Sequence, residues 1–404
     1  MKTNKLLTLA LAASALAFAA CDDDDDNNKG VANGSTLSGA ISESVTLTAG
    51  NTYRLSGEYI VKAGATLNIE QGVTIVAIDD DIVDYILVEQ GGKINAVGTA
   101  QAPVVMTSER HESGAWGGLH ICGYAPTNIE GGIGSSEIGD ATYGGSNPAD
   151  NSGTLRYVRL EYTGFALDEE HEANGISFYG VGSGTTVDYV QAYMGGDDGF
   201  EFFGGTVNIS HAVATSCSDD SFDWTEGWSG RAQFIVAYQQ PESTLGYDCD
   251  CLMECDNNGK DFGAKPVAHP IIANATLVGN GSSVGKRGVR LRAGTEVELY
   301  NTIIVGKANP LTVETTETET ALLNGISKLS HVVISSELTG KEGIYTNADF
   351  VAATGNAINA NPGLTSNVIG TLEGSTSLTD PFFATADYTG AVPASANWMT
   401  GWTR

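Results

Sequence analysis

Short strand-like segments recur along this chain at intervals near 20 residues, and that spacing restricts its fold more than any other feature. LRYVRLEY (155–162), TVDYVQAY (186–193), TVNISHAV (206–213), AQFIVAY (232–238), IIANATLV (271–278) and EVELYNTIIV (296–305) each alternate apolar with polar residues. Each is rich in β-branched or aromatic residues and is bounded by Gly, Asn or Asp, as strands are. IEQGVTI (69–75) and VEQGGKI (88–94) share Glu-Gln-Gly at a spacing of 19, and DDGFEF (197–202) and DDSFDW (219–224) share a pattern at a spacing of 22. A sandwich would show two-residue hairpin signals between such strands. Regular Leu spacing is absent, and with it the leucine-rich repeat.

What remains is a solenoid whose coils stack on one another. The chain is predicted to be all-β, a right-handed parallel β-helix. Its coils are expected over 36–310, with longer excursions at 79–85, 110–153, 164–173 and 240–268. Residues 311–404 are expected to hold terminal coils and a C-terminal cap over the open end. The 51 glycines suit many tight turns, and with 10 prolines and no Gly-X-Y period they do not indicate collagen.

Aligning the coils on an apolar–polar–apolar triplet gives Ile176-Ser177-Phe178, Phe200-Glu201-Phe202, Phe222-Asp223-Trp224, Met253-Glu254-Cys255 and Val289-Arg290-Leu291. With alternate side chains on opposite faces, the apolar flanks point inward and Glu201, Asp223 and Glu254 point outward. The turns ahead of them supply Asp197, Asp198, Asp219, Asp220 and Asp250. Strands about 4.8 Å apart bring these carboxylates into mutual repulsion. Relief can come from backbone N–H groups, from the basic residues of the next coil (Lys286, Arg287, Arg290), from raised pKa values or from Ca²⁺, which prefers oxygen clusters. Turn capping by the aspartates and a metal site both fit the pattern.

The net charge is −29, from 49 Asp+Glu against 20 Lys+Arg. No basic footprint for nucleic acid exists. The acid is concentrated at Asp22–Asp26, at Asp79, Asp80, Asp81 and Asp84, at Asp168, Glu169, Glu170 and Glu172, and on the ladder.

Lys2 and Lys5 precede an apolar run from Leu6 to Ala20, which reads as a signal peptide (1–20). The run ends Phe18-Ala19-Ala20-Cys21, which resembles a lipobox, so Cys21 is the expected acylation site and lipid anchor. Residues 21–35 form an acidic tether that resembles the export signal of surface lipoproteins of the Bacteroidetes. WGGLHICGYAPTN (116–128), YGGSNPADNSGTLRYVRLEY (143–162), DDGFEFFGGTVN (197–208), DDSFDWTEGW (219–228), LRAGT (291–295) and YTGAVPASANWMTGWTR (388–404) resemble that lipoprotein family. The resemblance implies a pectate-lyase-like β-helix fold and an outer-membrane, cell-surface location. Activity is not implied.

Glu201, Asp223 and Glu254 with Arg290 match the acids and base of a Ca²⁺-dependent polysaccharide lyase or hydrolase, although fold analogy is a weak warrant. Gly-His-Gly and Arg-Ile-Lys motifs are absent. The six His are scattered without paired spacing. Cys249, Cys251 and Cys255 are candidates for a disulfide, Cys249–Cys255, or for a soft-metal site. Trp398 and Trp402 are expected to pack in the cap. The expectation is a non-catalytic surface protein that binds an extracellular ligand, a glycan foremost, or serves an outer-membrane complex. The rivals are the Ca²⁺-dependent enzyme and a purely structural envelope protein.

Overall fold

The computed structural model describes residues 29–80, 82–165 and 173–404. The signal segment, Cys21, the tether acids Asp22–Asp26, Asp81 and the acidic run Asp168–Glu172 lie outside the described residues. The described strands form one 25-stranded assembly with two small antiparallel pairs beside it. Its pairings are parallel, and each coil hands three strand positions to the next, so the assembly is a β-helix with three faces.

The first face stacks Val45 on Leu67, Leu67 on Ile94, Val187 on Ile209 and Ile209 on Ala232. The second stacks Val158, Val190, Ala212, Ile235 and Ala275. The third stacks Leu119, Ile176, Phe200 and Phe222. Alternation sends one side of every strand inward, and Leu67, Ile94, Ile121, Phe178 and Leu277 are among the fully buried core residues. Rings of adjacent coils stack inside, Phe178 on Phe202 at 5.2 Å and Phe200 on Phe222 at 4.9 Å.

From the fifth coil onward one continuous strand serves both first and second faces. It turns the corner at a single residue with positive φ: Tyr157, Tyr189, His211, Phe234, Asn274, Asn301 and His331. That conformation is costly for bulky residues and tolerable for Asn. Ring stacking offsets the cost, with Tyr157–Tyr189 at 4.3 Å, Tyr189–His211 at 4.1 Å and His211–Phe234 at 4.9 Å.

Coils continue past 310: strand Asn309–Val313 crosses that point, and pairing runs on to Ala357–Ile358. The last stretch differs from the expectation, because it does not sit over the open end. Residues 375–404 lie lengthwise along the corner as a strap that runs back toward earlier coils. Thr376 exchanges hydrogen bonds with Asn301, donating N–H to Oδ1 at 2.7 Å and accepting Nδ2–H at 3.0 Å. Asn274 donates to the Tyr388 carbonyl at 2.9 Å, and Arg159 donates to the Trp402 carbonyl at 2.9 Å. Trp402 is fully buried against Tyr157 and Tyr189, and Trp398 meets Tyr189 and His211 edge-on. An outward aromatic column is an apolar stripe, and the strap removes it from water. Trp398→Leu should therefore lower stability by roughly 0.5–1.5 kcal/mol through its lost aromatic contacts. A urea midpoint shift with unchanged m value would show it.

Candidate functional site

The register of the third face is the one that the sequence predicts. Ser177 pairs with Glu201, Glu201 with Asp223, Asp223 with Glu254, and Glu254 with Arg290. Upstream the same column continues through His120 and Leu87. Sequence reading left His120 among scattered histidines, because the long 123–175 interval hides its register. It is fully buried, its Nε2 lies 2.7 Å from the Gly117 carbonyl, and burial pushes its pKa down to about 4.

The ladder divides into two parts. Downstream, its charge is matched by the next coil. Arg290 donates two hydrogen bonds to Glu254 at 2.7 and 2.9 Å and also pairs with Glu314 at 3.2 Å. Arg292 bridges Glu254 at 3.0 Å and Asp256 at 2.6 Å. Lys341 completes the group on Glu314 at 2.7 Å. Arg290 is thus held between two carboxylates, which argues against its expected role as a catalytic base.

Upstream, Asp198, Glu201 and Asp223 each place a carboxylate oxygen within 4.8 Å of the other two. Asp197, Asp198 and Asp219 form a second such group, and Asp220, Asp250 and Cys251 a third. Asp198 accepts the Asp220 N–H at 2.8 Å, and Asp220 accepts the Cys251 N–H at 2.6 Å. The turn aspartates therefore cap, and they do so from coil to coil. Asn174 donates to Glu201 at 2.5 Å. The Oδ1 of Asp223 is buried without a hydrogen-bond partner. Burial, then neighbouring carboxylates, raises the pKa values of Asp198, Glu201, Asp220 and Asp223 well above the ordinary range.

Part of the cover on this face comes from the excursion after Cys122. Tyr143 joins Ile60, Leu87, Tyr179 and Phe203 in an apolar cluster on the outside of the third face. Tyr143 and Thr127 donate to Glu226 at 2.9 and 3.4 Å, and burial raises Glu226 to about 7. The same excursion brings Glu137 to the Tyr179 hydroxyl at 3.3 Å, close enough to Glu201 to raise its pKa further. No motif marks Glu137 or Glu226, since only the path of the excursion places them.

The cysteine expectation is corrected. Cys122, Cys217, Cys249, Cys251 and Cys255 are all free and buried. Strand alternation turns Cys255 into the core beside Trp224. Cys249 instead lies in the preceding turn, where its carbonyl accepts from buried Lys307 at 2.9 Å. Among the described residues only Cys251 joins a ligand group, and it does so with two carboxylates in place of the other thiols.

A family described as pectate-lyase-like β-helix domain matches residues 39–403. The chain belongs to that family. No curated protein matches it. Among solved structures it is similar to the Dettilon tailspike protein (gp208), at 10% identity and a TM-score of 0.24. That alignment covers 80% of this chain, which spans only 63% of the tailspike chain.

Proposed function

We propose that this pectate-lyase-like β-helix is a non-catalytic, lipid-anchored protein of the outer cell surface that binds glycan and holds a calcium ion in its acid ladder. The observation that carries the non-catalytic part is the Arg290 geometry. Arg290 is held by Glu254 and Glu314, whose side chains are each only 11% exposed, so neither the guanidinium nor these two acids is free to act on a substrate. A lyase or hydrolase needs its base and acids within reach of a polymer. The anchor and location rest on the lipobox at Cys21, the acidic tether and the resemblance to Bacteroidetes surface lipoproteins.

The donor set fits a hard cation. Asp198, Glu201 and Asp223 offer oxygen only, their like charges crowd one another, and the Asp223 Oδ1 is buried without a hydrogen-bond partner. These three residues would hold the ion, which would supply charge neutralisation between coils.

The test incubates the purified protein with a polysaccharide panel, with calcium and with chelator. Retention of a polymer without new reducing ends or unsaturated products is expected. Product release abolished by Glu201→Gln or Asp223→Asn would overturn the non-catalytic reading. Protease shaving of intact cells should remove the protein, and full protection would overturn the surface location.

A further inference from the structure

Beside the covered aromatic corner, the second face carries another column in register, Tyr193, Thr215 and Tyr238. Thr215 is small, so the two tyrosines stand two strand spacings apart, about 9.6 Å, with a gap between them. The strap borders this gap, and Met399, Thr403 and Arg404 form one wall of a cavity of about 370 Å³. Such a volume lies in the range of small-ligand sites.

We infer that this cavity is the glycan subsite, taking one hexopyranose unit of a longer chain. The inference rests on the glycan-binding reading above. Both tyrosines are half-buried, so each keeps aromatic surface toward solvent. Val213 and Val236 add an apolar floor, while Gln240 and Asn367 bring amides to the lining. A pyranose needs this mixture, an aromatic surface for its C–H groups and amides for its hydroxyls. A single pyranose ring in the cavity could reach an aromatic contact of about 3.5–4.0 Å from a tyrosine.

The cavity walls are fixed. The Gln191 amide donates to Thr215 at 3.1 Å and accepts the Arg404 N–H at 2.8 Å. Arg404 also pairs with the buried carboxylate of Glu161 at 2.8 Å and covers the Tyr193 ring at 5.5 Å. The site is therefore formed before ligand arrives. The stacked column next to it is in contact with Trp398 and Trp402, whereas Tyr193 and Tyr238 line the cavity.

The probe is a set of hexasaccharides of glucose, mannose, galactose and galacturonate, titrated into the full-length protein by calorimetry. Tyr238→Ala should weaken the best binder roughly tenfold, the size of one lost aromatic contact with its burial. Tyr238→Phe should stay near wild type, and Gln240→Ala, at the rim, should weaken binding without a change in melting temperature. If wild type binds a hexasaccharide and neither Ala variant weakens it, the subsite is wrong and the glycan-binding reading stands. If wild type binds none, both fall.

Discussion

Under chelation this protein should be more stable in mild acid than at neutral pH, and calcium should reverse that order. The four ladder acids Asp198, Glu201, Asp220 and Asp223 have folded-state pKa values raised by burial and by one another. Asp84, raised to about 6, and Glu226, raised to about 7, move the same way, each mainly through burial. The unfolded chain titrates near pH 4. Above that pH the folded protein binds more protons than the unfolded one, so stability falls as pH rises. The stabilisation is complete below about pH 4 and is lost through the folded-state values, a window that extends to about pH 7 for Glu226. Calcium binds only the ionised ladder, so its effect should be largest at neutral pH and vanish in acid. At a hundredfold excess over Kd it should add about 2.7 kcal/mol. Melting curves at pH 5 and 7.5, with EDTA and with millimolar calcium, give the four points needed. Asp223→Asn should raise the melting temperature in EDTA, because it removes one of three mutually repelling charges, and should abolish the calcium response. A chelated protein that is less stable at pH 5, or a midpoint that ignores millimolar calcium, would reject the metal site.

Arg290→Ala should cost about 3–5 kcal/mol, the penalty of leaving a buried carboxylate partner unpaired. Two acids depend on this guanidinium, and the side chains of Glu254 and Glu314 are each only 11% exposed. Arg292 remains on Glu254 and Lys341 on Glu314, which keeps the loss finite. Arg290→Lys should recover only part of it, because an ammonium cannot reproduce the two-pronged contact. The urea midpoint measures the loss, and a cost below about 0.5 kcal/mol, ordinary for a surface site, would show that the pair is not structural.

The repeats conveyed the fold because a coil cannot bury its inward side alone. Strand alternation therefore survives in the residues, and the outward column from Ser177 to Arg290 was legible even across two insertions. The Glu-Gln-Gly repeat misled in detail. Glu70 follows the first-face strand Thr66–Ile69, and Glu89 follows the third-face strand Tyr85–Val88. The two share a turn chemistry at different corners, so their spacing of 19 is not the height of a coil. DDGFEF and DDSFDW, by contrast, are true neighbours. The cover over the ladder could not be read, since Tyr143, Glu137 and Glu226 meet through an irregular excursion without periodicity. The strap was missed for a related reason. The role of Trp398 and Trp402 depends on which corner has an exposed column, and that follows only from the positive φ at Tyr157, Tyr189 and His211.

A stack of coils held only by adjacent contacts behaves as a chain of nearly independent links, able to fray from either end one link at a time. The strap changes this. Its hydrogen bonds reach from His331 and Asn301 back to Gln191 and Glu161, and the last of these spans 243 positions in sequence. Loosening any one of those coils also loosens a segment that the others share. The links then melt together in one cooperative transition, and the middle of the rod cannot complete its packing until residues from the far end have arrived.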